Sequence, residues 1–329
     1  DDRARLAAEG RKPHWRFKLD GRAVKWEDLI RGPQQIDTTT LSDPVLIRED
    51  GSYLYTLPSV IDDIDFGITH VIRGEDHVVN AAVQIEITEA LGGHVPSYAH
   101  HSLLLGNDRK PLSKRHGATS VRDFREMGIL AAALVNYLGV LGRSIPQEII
   151  GEDELIETFS LSTFSPSDTI FDIDKLIWFN KEYLRSADPG EIIKELGLQA
   201  DSRDKVLALR ENASTLKEMK EYLRIFEDAA VNDEGHAYLL RAGSLDSFMR
   251  ELRGLLTEDN IMPFDELMRA MEGRAGLKRK DLFMVLRILF TGRKSGPPLK
   301  DIFHLIQKDI IIERIDRYLK DVSGKEIKG

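Results

Sequence analysis

The sequence predicts a parallel α/β sheet followed by an all-α region, and three observations support that fold class. Strand-like and helical segments alternate over residues 42–107, which is the pattern of a parallel sheet. From about residue 117 the apolar residues recur at helical spacing, with no convincing strand period beyond residue 190. A chain of 329 residues, 42% hydrophobic and 31% charged, is ordinary for a globular protein of two or three domains.

The first 107 residues give the predicted strands. Residues 1–10 predict a helix, and two short strands joined at Asp20-Gly21 predict a hairpin. The next part predicts strands over 45–48, 71–74 and 101–105, and a helix over 77–91 that Gly92 and Gly93 end. A strand, a helix and a strand in this order favour parallel pairing.

The rest of the chain predicts helices only, most of them interrupted by Gly, Pro or Asn. Their predicted ranges are 120–127, 129–141, 153–158, 173–183, 189–196, 202–211, 216–226, 237–256, 263–271, 278–290 and 299–318. We therefore expect an all-α C-terminal region.

Composition excludes several kinds of site. The chain has no cysteine, so disulfides, thiolate-bound zinc and a thiol nucleophile are excluded, and a reducing, cytoplasmic location fits. Its longest soft apolar run, 128–142, is shorter than the about 20 residues of a membrane span, so we expect no membrane contact. The net charge of −9 argues against non-specific nucleic-acid binding but leaves room for a local basic surface.

A basic loop follows the last predicted strand. Arg109, Lys110, Lys114 and Arg115 lie close to Ser113 in this loop, and such a cluster suits a polyanion as charge develops on a leaving phosphate. The loop lacks the second glycine of a Walker A motif. Phosphate binding and a solvated basic loop are both open from the residues alone.

A second candidate site lies where strand 71–74 opens into a helix. Arg73 can hold a carboxylate through two hydrogen bonds, and Asp76 can accept a hydrogen bond from a ribose hydroxyl. In α/β sheets, ligands bind beyond the carboxyl ends of the strands. The alternative is that Glu75 and Asp76 merely cap the helix, and His100 is open to lining a pocket or packing in the core.

Three other groups of residues are candidates for binding metal or RNA. The carboxylates Asp62, Asp63 and Asp65 suggest magnesium, but neighbouring side chains point apart, so capping and turn formation are favoured. The nine histidines have no metal-binding spacing, so no structural metal is expected. Residues 274–300 hold eight basic residues and one acid, and Arg287, Arg293 and Lys294 are candidates for RNA phosphates, with an exposed basic helix pair as the alternative.

Taken together, these segments resemble bacterial glutamyl-tRNA synthetase, a class I aminoacyl-tRNA synthetase. The most specific stretch is 60–77, followed by 111–117, which resembles the KMSKS-type loop of the family. Residues 171–180 and 290–297 also resemble it. The resemblance implies the second half of a Rossmann-type catalytic sheet, followed by an all-α anticodon-binding region.

The resemblance also implies a division into four segments. Residues 1–41 would be a remnant of the acceptor-binding insertion, and 42–117 the second half of the catalytic domain with its KMSKS-like loop. Residues 118–188 would form a helical domain that contacts the tRNA stem, and 189–329 the all-α anticodon-binding domain.

By position in these motifs, the resemblance implies residue roles and ligands. Glutamate would contact Tyr55, Ser59 and Arg73. ATP would contact Asp76, His77, Lys110 and Lys114, while Ser113, Lys114 and Arg115 would serve catalysis. The implied partners are L-glutamate, ATP with Mg²⁺ as substrate, and tRNA(Glu), with tRNA(Gln) left open; a monomer without structural zinc is expected. Arg73 and Lys114 are expected to face one crevice.

The sequence departs from the family at three points. Pro111 replaces the first lysine of the KMSKS-type loop, and Ser59 stands where the family commonly has Asn. The HIGH motif, which binds ATP, would lie upstream of Asp1, so this chain alone is expected to be inactive. The alternatives are a non-catalytic tRNA-binding module and a glutamyl-Q-type modification enzyme, which the long helical region disfavours.

Overall fold

The computed structural model describes residues 2–112, 117, 120–227, 230–242, 245–257, 262–272 and 277–326, except the side chains of 322–326. The chain forms two compact units. Unit 1 comprises Asp1–Thr119 with Val135–Asp172, and unit 2 comprises Ser120–Leu134 with Ile173–Gly329. No helix among these described residues is long and apolar enough to cross a membrane.

Unit 1 contains the strands. They are β1 (Trp15–Arg16), β2 (Ala23–Asp28), β3 (Gly32–Asp37), β4 (Val45–Ile47), β5 (His70–Gly74), β6 (Ser97–His101), β7 (Leu104–Leu105) and β8 (Thr169–Ile170). Its helices are α1 (Asp2–Ala8), α2 (Thr56–Asp65), α3 (Val78–Ala90), part of α5 (Ala131–Val140) and α6 (Glu152–Glu157).

Unit 2 contains helices and no strand among its described residues. Besides the first turn of α5, its helices are α4 (Val121–Met127), α7 (Ile173–Ser186), α8 (Pro189–Leu196), α9 (Arg203–Arg210), α10 (Leu216–Leu223), α11 (Asp233–Arg241), α12 (Asp246–Thr257), α13 (Phe264–Met271), α14 (Arg279–Thr291), α15 (Leu299–Ile302) and α16 (Lys308–Glu326). A continuous apolar core from Leu184 to Tyr318 joins helices α7 to α16. The predicted fold class, an α/β sheet followed by an all-α region, is confirmed.

The main sheet of unit 1 has the strand order β3-β2-β6-β5. Strand β6 pairs in parallel with both β5 and β2, while β2 and β3 form an antiparallel hairpin. Helix α3 connects β5 to β6 and packs Ala81, Ala82 and Ile85 against Val24 and Tyr98 of the sheet. The predicted strand–helix–strand unit is therefore present, and it places the ends of β5 and β6 side by side.

The predicted hairpin turn at Asp20-Gly21 is wrong, because the hairpin lies one segment later. The side chain of Asp28 accepts hydrogen bonds from the backbone N–H groups of Ile30 and Arg31, which fixes the turn between β2 and β3. Gly32 then takes φ +70°, a conformation that favours glycine. Strand β1, which was expected to pair across that turn, pairs instead with β4.

Three predicted elements are each divided. The strand predicted over 101–105 is the end of β6 followed by β7, which pairs with β8 near residue 170. The helix predicted over 237–256 is α11 and α12. The helix predicted over 299–318 is α15 and α16, because a 3₁₀ turn over Phe303–Leu305 leads into extended backbone at Ile306. Apolar spacing continues across such breaks, so periodicity alone does not locate them.

A buried asparagine joins three parts of unit 2. Asn180 is fully buried; its Oδ1 accepts from the N–H of Leu130 at 2.7 Å, and its Nδ2 donates to the carbonyl of Ser214 at 2.6 Å. The N–H of Leu216 donates to the carbonyl of Gly128, which ends α4 with φ +81°. A Cβ at Gly128 would lie 2.4 Å from the backbone nitrogen of Lys217, so glycine is required there.

We expect Gly128→Ala to destabilise unit 2 more than Gly197→Ala. Both glycines end helices with positive φ, and a left-handed alanine costs about 1 kcal/mol at either position. At Gly197 a Cβ meets nothing within 4 Å, whereas at Gly128 it meets backbone, so the free energy of unfolding should fall by about 1–3 kcal/mol more. Urea unfolding followed by circular dichroism measures both, and equal losses would contradict the packing argument.

Candidate active site

The site is centred on Arg73, near the carboxyl end of β5. Its Nε donates a hydrogen bond to Nε2 of His100 at 3.2 Å, and its Nη2 donates to the carbonyl of His77 at 3.3 Å. The guanidinium carbon lies 5.4 Å from the centroid of the Tyr98 ring. Among the described residues, no carboxylate forms an ion pair with Arg73 and no acceptor pairs with its Nη1. The partly buried positive charge therefore has free N–H groups for an anion.

Sheet register explains why these residues meet. Arg73 and His100 are Cα partners in the parallel pair β5·β6, and Asp28 is the partner of Tyr98 in the pair β2·β6. Because side chains alternate along a strand, Tyr98 and His100 share one face of β6. Their rings are stacked, with centroids 6.0 Å apart. Three neighbouring strands thus bring one carboxylate, one imidazole and one guanidinium together.

Behind Arg73, His100 and Asp28 form a fully buried pair. His100 Nδ1 lies 2.6 Å from Asp28 Oδ2, and neither side chain is exposed. Asp28 Oδ1 also accepts from the backbone N–H groups of Ile30, Arg31 and His100. Since Nε2 of His100 has to accept from Arg73, this hydrogen-bond network assigns the imidazole proton to Nδ1.

The pKa values of this pair follow from the same contacts. Burial raises the pKa of the Asp28 carboxyl, but the hydrogen bonds from His100 and the backbone outweigh it, and the net pKa is lower than the ordinary value. Burial lowers the pKa of His100 by more than Asp28 raises it. At neutral pH the pair is therefore a carboxylate beside a neutral imidazole, and not an ion pair of a carboxylate and an imidazolium.

The segment after Arg73 holds the predicted nucleotide residues. Asp76 and His77 lie in a 3₁₀ turn over Glu75–His77, with Asp76 Oδ2 3.6 Å from His77 Nε2. A Cβ on Gly74 would lie 2.6 Å from Asp76 Oδ1, so glycine is needed for the carboxylate to fold back over the strand end. This arrangement leaves Asp76 half-exposed at the mouth of the site.

The alternative that Glu75 and Asp76 cap the helix is not supported. Neither the 3₁₀ turn nor α3 has a side-chain hydrogen bond at its N-cap. Glu75 instead pairs with Arg31 Nη1 at 2.5 Å and so joins the β2–β3 turn to the end of β5.

Tyr55 and Ser59 border the same part of unit 1. The Tyr55 side chain is exposed and its ring centroid lies 6.1 Å from that of His77. The Ser59 hydroxyl donates to the carbonyl of Thr56 and accepts from Nε2 of Gln84 at 2.9 Å. With its only proton used, Ser59 has acceptor capacity left and suits an ammonium better than a carboxylate.

The basic loop is described only in part. Leu112 N–H bonds to the carbonyl of Leu104, and Gly106 N–H bonds to that of Lys110, so the loop is a tight hairpin. Arg109 at its tip has φ +57°, a strained conformation for a residue other than glycine. The side chain of Lys110 is exposed. Ser113, Lys114 and Arg115 lie outside the described residues, and the shared crevice with Arg73 stays a prediction.

The magnesium interpretation of Asp62, Asp63 and Asp65 has no support among the described residues, where no group of three or more His, Cys, Asp or Glu side chains could hold a metal ion. These residues lie in the second half of α2, so their side chains do not cap its N-terminus. The backbone carbonyls of Asp62 and Asp63 accept hydrogen bonds from Phe66 and Ile68 in the turn that ends α2, so turn formation, the other part of the favoured interpretation, is supported. Burial raises the pKa of the Asp63 carboxyl, and the neighbouring charge of Asp62 adds to the effect, while Arg73 opposes it.

In unit 2, each predicted RNA contact already has protein partners. Arg287 is buried and donates through Nη1 to the carbonyls of Gly296 and Pro297. Arg293 donates to the carbonyl of Glu221, and Lys294 pairs with Glu234 at 2.7 Å. These contacts hold the turn after α14. A role for the three cations in RNA binding stays a prediction.

The sequence did not identify Asp28 or Gln84 as site residues, and it left open whether His100 lines a pocket or packs in the core. Asp28 was visible as a carboxylate before a turn, a common signal for an Asx turn. Its contact with His100 was not visible, because the two residues lie 72 positions apart.

Comparisons with known proteins identify the family of the chain. The family model of the class I tRNA synthetase (E and Q) catalytic domain matches residues 1–178, and an anticodon-binding-domain model matches 171–319. Glutamate–tRNA ligase 2 of Hyphomonas neptunium is 42% identical over 322 residues, which cover 95% of this chain and 70% of that protein. Glutamate–tRNA ligase 2 of Syntrophus aciditrophicus is 38% identical, with coverage of 97% and 69%.

Solved structures give the same result. A glutamate tRNA ligase from Elizabethkingia meningosepticum, in complex with its amino acid, superposes with a TM-score of 0.76 at 27% identity. Glutamate-tRNA synthetase from Elizabethkingia anophelis gives 0.74 at 26% identity. Each comparison covers 97% of this chain and 70% of the other.

Burial lowers the pKa of His100, so we expect its neutral form to persist to lower pH than that of an ordinary histidine, whose pKa is about 6.5. Unfolded His100 takes up a proton near that pH and native His100 only at a lower one, so its contribution to the free energy of unfolding falls as the pH drops below about 6.5. Histidine ¹⁵N NMR at about pH 7 should show a protonated Nδ1 and a bare Nε2. His100→Gln identifies the signal, and two protonated nitrogens at that pH would contradict the assignment.

Proposed function

The chain belongs to the class I tRNA synthetases of the glutamate and glutamine type, and from that premise we propose that it acts on L-glutamate, ATP and tRNA(Glu). Synthetases of this family use ATP to join an amino acid to tRNA. In the proposed reaction a carboxylate oxygen of glutamate attacks the α-phosphate of ATP, which gives glutamyl-adenylate and pyrophosphate. The glutamyl group then passes to a terminal adenosine hydroxyl of the tRNA.

The observation that carries the choice of glutamate is the positive charge of Arg73. Its guanidinium is held on two sides by His100 and the His77 carbonyl, and among the described residues it has no carboxylate partner. A side-chain carboxylate of the substrate supplies that missing charge and pairs through two hydrogen bonds. Neutral glutamine brings no charge, so Arg73 also accounts for discrimination against it.

Around this anchor we propose roles for the remaining residues of unit 1. Tyr55 lies against the bound glutamate, and Ser59 accepts a hydrogen bond from the α-ammonium group. Asp76 and His77 border the ribose of ATP. Lys110 approaches the phosphates in place of the lysine that Pro111 replaces.

The loop residues complete the proposed chemistry. Lys114 neutralises charge that develops on the leaving pyrophosphate, and Ser113 and Arg115 shape the loop around it. Mg²⁺ accompanies ATP as part of the substrate. Such catalysis consists mainly of positioning and charge stabilisation.

We propose a separate role for each of the four segments predicted from the sequence. We assign 1–41 to the acceptor-binding insertion, 42–117 to the catalytic fold, 118–188 to stem contact and 189–329 to the anticodon. In the last segment Arg287, Arg293 and Lys294 are proposed to lie near the RNA backbone. Anticodon bases would be unstacked and recognised by stacking and edge hydrogen bonds.

A non-catalytic tRNA-binding module remains the second candidate. It is favoured by one observation: a model of an anticodon-binding domain matches residues 171–319, and this domain binds tRNA without contributing to the chemistry. Both candidates predict tRNA binding, and only the synthetase predicts adenylate formation by the full-length gene product.

We expect Arg73→Ala in the full-length gene product to lower kcat/KM for glutamate at least about 100-fold, the cost of truncating one partner of a buried charge pair. Binding of tRNA should be unchanged. The kcat/KM of Arg73→Lys for glutamate should lie between those of the wild type and Arg73→Ala, because an ammonium keeps the charge but not the paired hydrogen bonds. Arg48→Ala removes an exposed arginine of the same unit as control. Unchanged pyrophosphate exchange in Arg73→Ala, measured with tRNA present, would sink the pocket assignment.

The polypeptide of these 329 residues alone should make no glutamyl-tRNA, because the HIGH motif that binds ATP is not in its sequence. It should still bind tRNA. Mass spectrometry of the tRNA 3′ end after incubation with glutamate and ATP checks the first point, and a gel-shift assay checks the second. Robust charging by this polypeptide would refute the expectation.

A further inference from the structure

We propose that Asp28 and His100 are positioning residues for glutamate: they set the orientation of the Arg73 guanidinium without neutralising its charge. The inference rests on the proposed function, which supplies the substrate that Arg73 holds. Neither residue is assigned a role in the chemistry above. Both lie behind Arg73, with fully buried side chains.

The first step of the argument concerns geometry. An arginine side chain has five N–H groups, and the interactions of Arg73 use those on one side. Nε donates to His100 and Nη2 donates to the His77 carbonyl, while Tyr98 covers one face of the plane. The N–H groups that remain lie on Nη1 and Nη2. These two nitrogens can donate two parallel hydrogen bonds to the two oxygens of a carboxylate. Holding Nε therefore fixes the direction in which the substrate carboxylate approaches.

The second step concerns charge. A carboxylate bonded directly to Nε would form an ion pair with Arg73 and compete with the substrate for its charge. His100 accepts the same hydrogen bond as a neutral ring, and the negative charge of Asp28 lies beyond that ring. Because Coulomb energy falls with distance, the interposed ring weakens the attraction of Asp28 for Arg73. Asp63 also attracts Arg73 through space, but no described carboxylate lies within ion-pair distance of it, so a substrate carboxylate can be its direct ion-pair partner.

The third step concerns the proton on His100. The acceptor role of Nε2 requires the proton to stay on Nδ1, and Asp28 Oδ2 at 2.6 Å holds it there. Asp28 is itself fixed by the backbone N–H groups of Ile30 and Arg31 in the β2–β3 turn. The hairpin thus reaches the glutamate site through two side chains. It does so although its sequence segment was assigned to the acceptor-binding insertion.

The test is Asp28→Asn in the full-length gene product. The amide oxygen can keep the backbone hydrogen bonds, but the amide nitrogen faces Nδ1 as a donor, which moves the imidazole proton to Nε2 and against Arg73. We expect KM for glutamate to rise about 10- to 100-fold, the range for a hydrogen bond to a charged group. KM for ATP should stay within about twofold of the wild-type value, and discrimination against glutamine should fall.

Asp37→Asn is the matched control. Asp37 ends β3 in the same hairpin, and its side chain accepts hydrogen bonds from Thr39 of the same turn, so the same loss of charge should leave KM for glutamate unchanged. A purely structural role of Asp28 would lower the melting temperature and raise KM for ATP and glutamate together. That pattern, or an unchanged KM for glutamate in folded Asp28→Asn, would overturn the proposal.

If Asp28→Asn does not fold, a second pair of variants, at His100, still tests the proposal. His100→Gln retains an amide oxygen that can accept from Arg73 and should keep KM for glutamate within about threefold, whereas His100→Leu should raise it about 10- to 100-fold. Equal KM values in the two variants would overturn the proposal.

Arg73→Ala distinguishes failure of the proposed function from failure of the positioning role. If Arg73→Ala leaves glutamate use intact, the proposed function fails. If it abolishes glutamate use while both pairs behave like wild type, only the positioning role fails.

Discussion

The candidate site depends on one physical constraint, which is the support of a partly buried guanidinium without an ion pair. A buried charge is costly unless hydrogen bonds compensate it. At Arg73 the compensation comes from an imidazole, a carbonyl and an aromatic ring, while acidic side chains stay outside ion-pair distance among the described residues. In a chain of net charge −9, an available positive charge of this kind favours an anionic ligand over a neutral one.

The parallel sheet supplies this support through its register. Pairing of Arg73 with His100 and of Asp28 with Tyr98 places four side chains from three strands at one end of the sheet. A shift of one residue in either pair would turn His100 or Tyr98 to the opposite face. The apolar contacts of α3 with Val24 and Tyr98 therefore stabilise the register as well as the core.

Much of this arrangement was predictable from local patterns. The strand ending at Gly74, the helix after it and the binding potential of Arg73 all follow from apolar spacing and from the rule that ligands bind beyond strand ends. The hairpin was misplaced because Asp20-Gly21 has turn residues, whereas the actual turn depends on the side chain of Asp28. The contact between Asp28 and His100 could not be predicted from the sequence, because β2 and β6 are far apart in the chain and no local pattern encodes their pairing.

Charge counting alone does not distinguish a binding arginine from a structural one, as Arg143 shows. Like Arg73, it lies over aromatic rings, those of Phe159 and Phe164. Its Nε, Nη1 and Nη2 donate to Thr163, Gly139 and Thr158, so each nitrogen has a protein acceptor. Nη1 of Arg73 has none among the described residues. The difference lies in unfilled hydrogen-bonding capacity next to a held charge, which sequence does not record and the sheet register creates.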